Sequence, residues 1–248
     1  MLFSVIIPVR KCPLPLLGST LESILNQKDV QFEVVVVDAS NCQQTQDFIH
    51  RYENLQVLDT EQQALDAIIQ CGTDAAHGDY VNILLPGEFY LSQYALQTVQ
   101  EFIEQNDAPD IIQCGWMQQG KACFEMRIPW LIKKGFYPIT LQNYWFKNEI
   151  FEKVGSFDTT FQFRGKFDLF CRLNQSGAKW TSFKRVLTDS DRWLEEPSSP
   201  VIESKEMLAI LTRHFGVIAA LRWWCTQNQI NFFKSVFKSL RKAFFARG

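Results

Sequence analysis

The most constraining feature of the sequence is a run of four valines at positions 34–37 that ends at Asp38. An unbroken β-branched run is typical of a strand covered on both faces, and such strands belong to parallel sheets flanked by helices. Open parallel sheets bind ligands beyond the carboxyl ends of their strands. Asp38 is therefore the first candidate for a ligand contact, and a turn or helix-capping aspartate is the alternative interpretation.

Composition limits the class of protein and its partners. A chain of 248 residues that is 46% hydrophobic can bury a full core, which favours one α/β domain with an appendage. The formal charge of −2 gives no general attraction to nucleic acid, so we expect no nucleic-acid partner. Seven cysteines without a paired Cys-x-x-Cys motif indicate reduced thiols. Because we find no signal peptide or long apolar run, we expect a cytoplasmic protein.

Strand and helix patterns alternate along the first half of the chain. Short apolar runs predict strands, and apolar residues three and four apart predict helices between them. The pattern predicts a doubly wound, mostly parallel sheet flanked by helices. The predicted strands are 2–8, 32–38, 55–58, 81–85 and 110–116, and the predicted helices are 16–27, 43–52, 62–76 and 91–105.

The second half is less regular. Residues 121–145 are rich in aromatic residues and marked by Gly and Pro, which predicts loops that wrap a cleft. A last strand is predicted at 180–187. We divide the chain into a main domain at 1–195, a Pro- and Ser-rich linker at 196–204 and a helical extension at 205–248.

The extension is basic and amphipathic. Residues 201–248 carry a net charge of +6, and five apolar residues at spacings of three and four form one stripe: Ile230, Phe233, Phe237, Leu240 and Phe244. A basic helix with bulky apolar residues can lie in a membrane interface. We therefore predict contact with an anionic membrane surface through 229–248, which would make the protein peripheral at the inner face of the membrane. The alternative is a helix docked on its own domain.

Four blocks of the sequence, in order, closely resemble the family 2 glycosyltransferases, which are inverting enzymes with the GT-A fold. The likeness covers about residues 3–190, and main domain 1–195 then corresponds to a nucleotide-sugar and acceptor domain. The matching segments are FSVIIPV at 3–9, EVVVVDAS at 33–40, ALDAIIQCG at 64–72 with AHGDYV at 76–81, and VGSFD at 154–158 with FDLFCRL at 167–173.

The resemblance implies a nucleotide-diphosphate sugar as donor, with a UDP-sugar expected first. It places the nucleotide at Pro8, Val9, Arg10, Asp38, Ser40 and Asp66. Asp38 can accept a hydrogen bond from an N–H of the base. Arg10 stands where the family often has an aromatic residue, and its planar guanidinium can stack on the base, although a surface position is an equal alternative.

The metal motif departs from the family pattern. Where the family has Asp-x-Asp after the fourth strand, this chain has Leu85, Pro86, Gly87 and Glu88. Glu88 is the one hard oxygen ligand left there, so it is the predicted ligand of Mg²⁺ or Mn²⁺, which it would hold weakly.

The catalytic-base motif departs as well. Lys166 occupies the position of the family's catalytic aspartate, and a protonated lysine cannot act as a base. Asp168 is the replacement candidate, with a helix-starting aspartate as the alternative. Lys166, helped by Arg164, can instead neutralise diphosphate. Asp189 and Asp191 have the spacing of an Asp-x-Asp motif, although a solvated loop is the favoured interpretation.

Two functions from different classes follow. The first is a glycosyltransferase that moves a sugar to a hydroxyl of a glycan or lipid-linked acceptor in cell-surface polysaccharide synthesis. The second is a catalytically degenerate relative that serves as a binding or scaffolding partner. Fold alone does not decide between them.

Overall fold

The computed structural model of the protein describes residues 1–124, 131–136, 138, 140–190 and 199–227. The membrane prediction for 229–248 concerns residues outside this described part of the chain. Within the described part, no helix is both long and apolar enough to cross a membrane.

The first half of the chain builds the parallel part of one sheet. Its strands lie in the order β3-β2-β1-β4, and all three pairings are parallel. The bounds are Leu2–Val9 for β1, Gln31–Asp38 for β2, Leu55–Asp59 for β3 and Tyr80–Ile83 for β4.

The valine run lies in β2 and is buried on both faces. Val35 and Val37 belong to the hydrophobic cluster on one side of the sheet, and Val34 and Val36 belong to the cluster on the other side. The predicted doubly covered strand is thus confirmed, together with the α/β fold class. The helices that follow the first strands are Leu14–Leu25 for α1, Gln43–Ile49 for α2, Leu65–Asp74 for α3 and Ala95–Gln105 for α4.

The chain from Glu88 onward adds a mixed part to the same sheet, which continues from β4 in the order β8-β6-β9-β5. Three of these pairings are antiparallel and β6 with β9 is parallel, while β7 pairs with β6 off the main path. The bounds are Glu88–Tyr90 for β5, Ile111–Gln118 for β6, Lys121–Cys123 for β7, Tyr144–Lys147 for β8 and Trp180–Ser190 for β9.

The prediction of loops across 121–145 is wrong at both ends of that segment. The segment begins with β7 and ends inside β8, which is an interior strand between β4 and β6. Tyr144 and Trp145 are fully buried there. Because β8 has only four residues and three of them are aromatic, it shows no alternation of apolar and polar residues, and its aromatic content is core packing.

Three further helices cover the mixed half: α5 at Glu149–Val154, α6 at Gly165–Gln175 and α7 at Pro200–Phe215. Helix α7 packs on α6 and buries Met207, Ile210 and Leu211 in the core. Its start overlaps the predicted linker 196–204, because proline is well suited to the first position of a helix. After Gly216 a further helical stretch occupies 217–227.

Gly72 provides a test of how closely α3 packs on the sheet. A Cβ atom at this position would collide with the side chain of Ile6 and crowd Val37. We expect Gly72→Ala to lower the free energy of unfolding by about 1–3 kcal/mol, as overpacking does. Urea denaturation measures the change.

Gly18 in α1 is the matched control for this experiment. A Cβ there would lie 3.3 Å from the ring tip of Phe48, which has room to shift. Gly18→Ala should be neutral or stabilising by up to about 1 kcal/mol, because alanine favours the helix. Equal losses in both variants would contradict the close packing of α3 on the sheet.

Candidate functional site

The strand ends that were predicted to bind a nucleotide meet at one edge of the sheet. The parallel register pairs Pro8 with Val37 and Val9 with Asp38, so β1 and β2 end at the same level. The Ala39 N–H donates to the Val9 carbonyl at 2.8 Å, which joins the two chains just beyond the strands.

Asp38 is buried at this edge, and only one of its two carboxylate oxygens has a hydrogen-bond partner among the described residues. One oxygen, Oδ1, accepts the Ser40 N–H at 2.7 Å, which fixes the side-chain orientation. The other, Oδ2, is buried and has no hydrogen-bond partner among the described residues. Since buried polar atoms are nearly always paired, an unpaired carboxylate oxygen at a strand end indicates a place for an external donor.

A cleft opens beside these strand ends. Pro8, Arg10 and Lys11 line it from the end of β1 and the loop that follows, and Leu85 and Pro86 line it from the loop after β4. The structure thus places Arg10 in a cleft wall, as the nucleotide-binding prediction requires. The sequence reasoning missed Lys11, whose only signal was its position next to Arg10.

Glu88, the predicted metal ligand, is only 4% exposed. Its Oε2 accepts the Leu85 N–H at 2.8 Å, and its Oε1 accepts the Thr140 hydroxyl at 3.2 Å. The described residues contain no group of three or more His, Cys, Asp or Glu side chains that could hold a metal ion. With both oxygens engaged, Glu88 does not fit Mg²⁺ or Mn²⁺ in this arrangement of the described residues.

Asp66 connects helix α3 to the start of helix α6. It lies in the first turn of α3, and its Oδ2 is packed so closely against Gly165 that a Cβ there would collide with it. Gly165 begins α6, so the carboxylate lies near the positive end of that helix. Lys166 follows in the same turn, which brings this predicted site residue to the same junction.

Asp168, the candidate base, is enclosed by two arginines and the imidazole of His214. Its Oδ2 accepts from Arg172 Nε at 2.8 Å, and its Oδ1 lies 2.8 Å from His214 Nε2 and 3.4 Å from Arg213 Nη1. Burial opposes ionisation, but the hydrogen bonds from His214 and Arg172 outweigh it and lower the pKa of Asp168. The carboxylate therefore holds α6 to α7 and is a weak base.

Arg172 extends this network into the loop after α5. Its guanidinium donates to the backbone carbonyls of Val154, Gly155 and Ser156. The Asp168 carboxylate orients that guanidinium, so the aspartate is placed to anchor the loop as well as the two helices. The conformation of residues 154–156 thus depends on the same carboxylate that is the candidate for proton transfer.

Arg164 also serves helix α7. Its guanidinium pairs with Glu203 at 2.6 Å, and its backbone N–H donates to Glu206. The suggested role in diphosphate binding does not agree with this pairing. Glu203 and Glu206 had been counted only in the charge of the tail, because sequence spacing does not show which loop a distant helix will contact.

The first aspartate of the Asp-x-Asp spacing at 189 and 191 lies in a strand. Asp189 lies in β9, opposite Phe89, so the loop interpretation is wrong for this residue. Its Oδ1 accepts the N–H of Ser190. Asp191 lies outside the described residues.

The parallel β3-β2-β1-β4 sheet, its rim carboxylate and the mixed second half define an α/β protein of the GT-A type. The chain belongs to glycosyl transferase family 2, whose family model matches residues 4–165. No curated protein sequence matches the chain.

Solved structures of TarS from S. aureus share the fold. TarS 1-349 superposes with a TM-score of 0.69 at 15% identity, and the match covers 86% of this chain and 65% of that one. Its complex with UDP gives 0.68 at 16% identity with the same coverage. Its complex with UDP-GlcNAc gives 0.70 at 16% identity and covers 86% of this chain and 66% of that one. The chain thus spans just under two thirds of these relatives, and at such identity the likeness establishes the fold alone.

The Asp168 network predicts a stability change that depends on pH. Because the folded-state pKa lies below the ordinary value of about 3.9, the stabilisation is complete above that value and is lost as pH falls through the lowered pKa. Asp168→Asn should cost about 3–5 kcal/mol of unfolding free energy at pH 7, as breaking a buried ion pair does. The difference in unfolding free energy between this variant and the unmodified chain should become smaller below about pH 4. Denaturation at several pH values measures both effects.

Glu149→Gln is the control for this experiment, since Glu149 forms an exposed pair with Lys147. It should leave the unfolding free energy nearly unchanged. An Asp168→Asn variant of full stability that had lost sugar transfer would contradict the anchoring role and favour Asp168 as the base.

Proposed function

We propose that this chain is a glycosyltransferase that takes a sugar from a nucleoside-diphosphate donor and transfers it, with inversion, to a hydroxyl of a glycan or lipid-linked acceptor in cell-surface polysaccharide synthesis. The observation that carries the proposal is the buried, unpaired Oδ2 of Asp38 at the strand ends. Family membership and the UDP and UDP-GlcNAc complexes of the TarS relatives support it.

In this proposal, Asp38 selects the nucleobase of the donor. Its free oxygen accepts an N–H from the edge of the base, and uracil offers such a group at N3. A buried acceptor without a donor costs about 1–3 kcal/mol, so a base that supplies the N–H is favoured over one that does not. Pro8, Val9 and Ser40 shape the same edge, and Arg10 follows it directly in the wall of the cleft.

The acceptor hydroxyl needs a group that removes its proton as the new bond forms. Lys166 stands in the expected position, and Asp66 and the start of α6 lie next to it. A lysine beside a carboxylate is favoured in its protonated form, which cannot take up this proton. Asp168 remains the candidate base predicted from the sequence, and Lys166 remains the candidate cation for the diphosphate.

One observation favours a second candidate, a nucleotide-binding scaffold without transfer activity. The Asp168 carboxylate is held by Arg172 and His214, which leaves it poorly suited to proton transfer. An assay that follows release of UDP from UDP-sugars separates the two functions. UDP-sugar binding without any release, across several acceptors, would favour the scaffold.

Asp38→Asn tests the nucleotide site. The Asn oxygen must take the place of Oδ1 to keep the Ser40 hydrogen bond, so the amide NH₂ would face the N–H of the base. We expect UDP affinity to fall at least about tenfold, which corresponds to about 1.4 kcal/mol. Isothermal titration calorimetry with UDP measures it.

Asp47→Asn is the matched control, because Asp47 is exposed on α2, where its carboxylate accepts a hydrogen bond from Gln43. It should bind UDP as the unmodified protein does. Unchanged affinity in Asp38→Asn would remove Asp38 from the site, and no heat with UDP in the unmodified protein would count against a UDP donor.

Membrane contact is part of the proposal. The helical stretch 217–227 exposes apolar side chains, with Val217 at 59%, Ile218 at 69% and Leu221 at 56%. The sequence from 207 to the end has seven Lys and Arg residues and no Asp or Glu. Exposed apolar residues in a segment whose charged side chains are all basic are suited to contact with an anionic bilayer surface. The same contact is predicted from the sequence for 229–248.

Ile218→Glu combined with Leu221→Glu tests this surface. The change removes apolar contact and adds negative charge, so partitioning onto vesicles of phosphatidylglycerol and phosphatidylcholine should fall at least about tenfold. Vesicle sedimentation measures the bound fraction. Val201→Glu changes an exposed apolar residue of α7 in the same way and should bind normally. Equal binding of all variants, or no binding to anionic vesicles by the unmodified protein, would contradict the membrane contact.

A further inference from the structure

The loop after β4 offers no oxygen side chain to a cation bound at the diphosphate. Leu85, Pro86 and Gly87 occupy it, and the next carboxylate, Glu88, is directed back at the loop itself, where it accepts the Leu85 N–H. A divalent cation would have to compete with this bond and with the Thr140 hydroxyl for a single carboxylate. Mg²⁺ and Mn²⁺ favour several oxygen ligands, so this competition is unfavourable.

Hydrogen bonds to α1 hold this loop in place. The Gly87 N–H donates to the Thr20 hydroxyl at 2.9 Å, and that hydroxyl donates to the Glu88 carbonyl at 2.8 Å. Gly87 also has φ 93°, a left-handed conformation that other residues rarely adopt. Turning the Glu88 side chain outward would break its own hydrogen bonds with the Leu85 N–H and the Thr140 hydroxyl and leave the Leu85 N–H without this acceptor.

The opposite wall of the cleft is cationic. Arg10 and Lys11 follow β1 and line the same cleft as Leu85 and Pro86, and none of the described residues that line it is acidic. A guanidinium can bind two phosphate oxygens at once, and an ammonium group supplies a compact charge on a flexible stem. Both positive charges thus lie within reach of a diphosphate bound across the strand ends.

We propose that the cleft binds the diphosphate of the nucleotide without a divalent cation, and that Arg10 and Lys11 supply the positive charge that a metal ion would otherwise bring. This inference rests on the proposed nucleotide site. It assigns Lys11 to diphosphate binding and replaces metal coordination at Glu88 with direct ion pairing. Because the charges are partly exposed, the binding should weaken as ionic strength rises.

Calorimetric titration of the full chain with UDP, once in EDTA and once in MnCl₂, tests the inference. The expected result is the same affinity within about twofold in both buffers. Binding that requires Mn²⁺, or tightens at least about tenfold with it, would overturn the inference and leave the nucleotide site intact. Absence of binding in both buffers would overturn the proposed UDP site itself.

Lys11→Gln identifies the source of the charge. It should weaken UDP binding about five- to tenfold, in line with a charged hydrogen bond, and leave the binding of uridine, which has no phosphate, unchanged. Lys28→Gln is the matched control, since Lys28 is an exposed lysine before β2, at the opposite end of that strand. Unchanged UDP affinity in Lys11→Gln, or an equal loss for uridine, would overturn the role of Lys11.

Discussion

The parallel pairing of β1 with β2 is the constraint on which the rest of the site depends. Four valines with no more than 1% exposure hold β2 between two hydrophobic layers, and its continuous pairing with β1 sets the register. That register ends β1 and β2 together and fixes Asp38 at the edge. The carboxylate is thereby buried by the sheet while one oxygen stays unpaired, which is the property that the proposed nucleotide site uses.

The charged side chains around the candidate site differ from the family pattern in the contacts that they make. Cationic side chains line the cleft, the carboxylate of Glu88 is used to hold a loop, and Asp168 is used to hold two helices. An ion pair or a capping hydrogen bond that stabilises the fold makes a carboxylate less available to a ligand, because the same lone pairs serve both. This competition explains why carboxylates at the expected sequence positions do not by themselves establish a metal site or a catalytic base.

Helix α7 belongs to the same core as the sheet and is bonded to helix α6 and to the loop before it. Its Glu203 and Glu206 hold the loop before α6, and its His214 holds Asp168. All three lie in the segment that had been assigned to a linker and an extension. In each interaction the two partners are about forty residues apart in the sequence. They therefore meet only through tertiary packing, which no local sequence pattern shows.

The sequence by itself determined the α/β class, the buried central strand and the position of Asp38 at a strand end, because a continuous β-branched run permits few other arrangements. It did not determine β8, whose four residues carry no periodic signal, nor the partners of Glu88 and Asp168. Only the tertiary structure decided those, since they depend on distant segments that pack together. Local patterns determine which helices and strands form. Whether a carboxylate stays available for a ligand or a proton depends on the hydrogen-bond donors that the folded chain brings beside it.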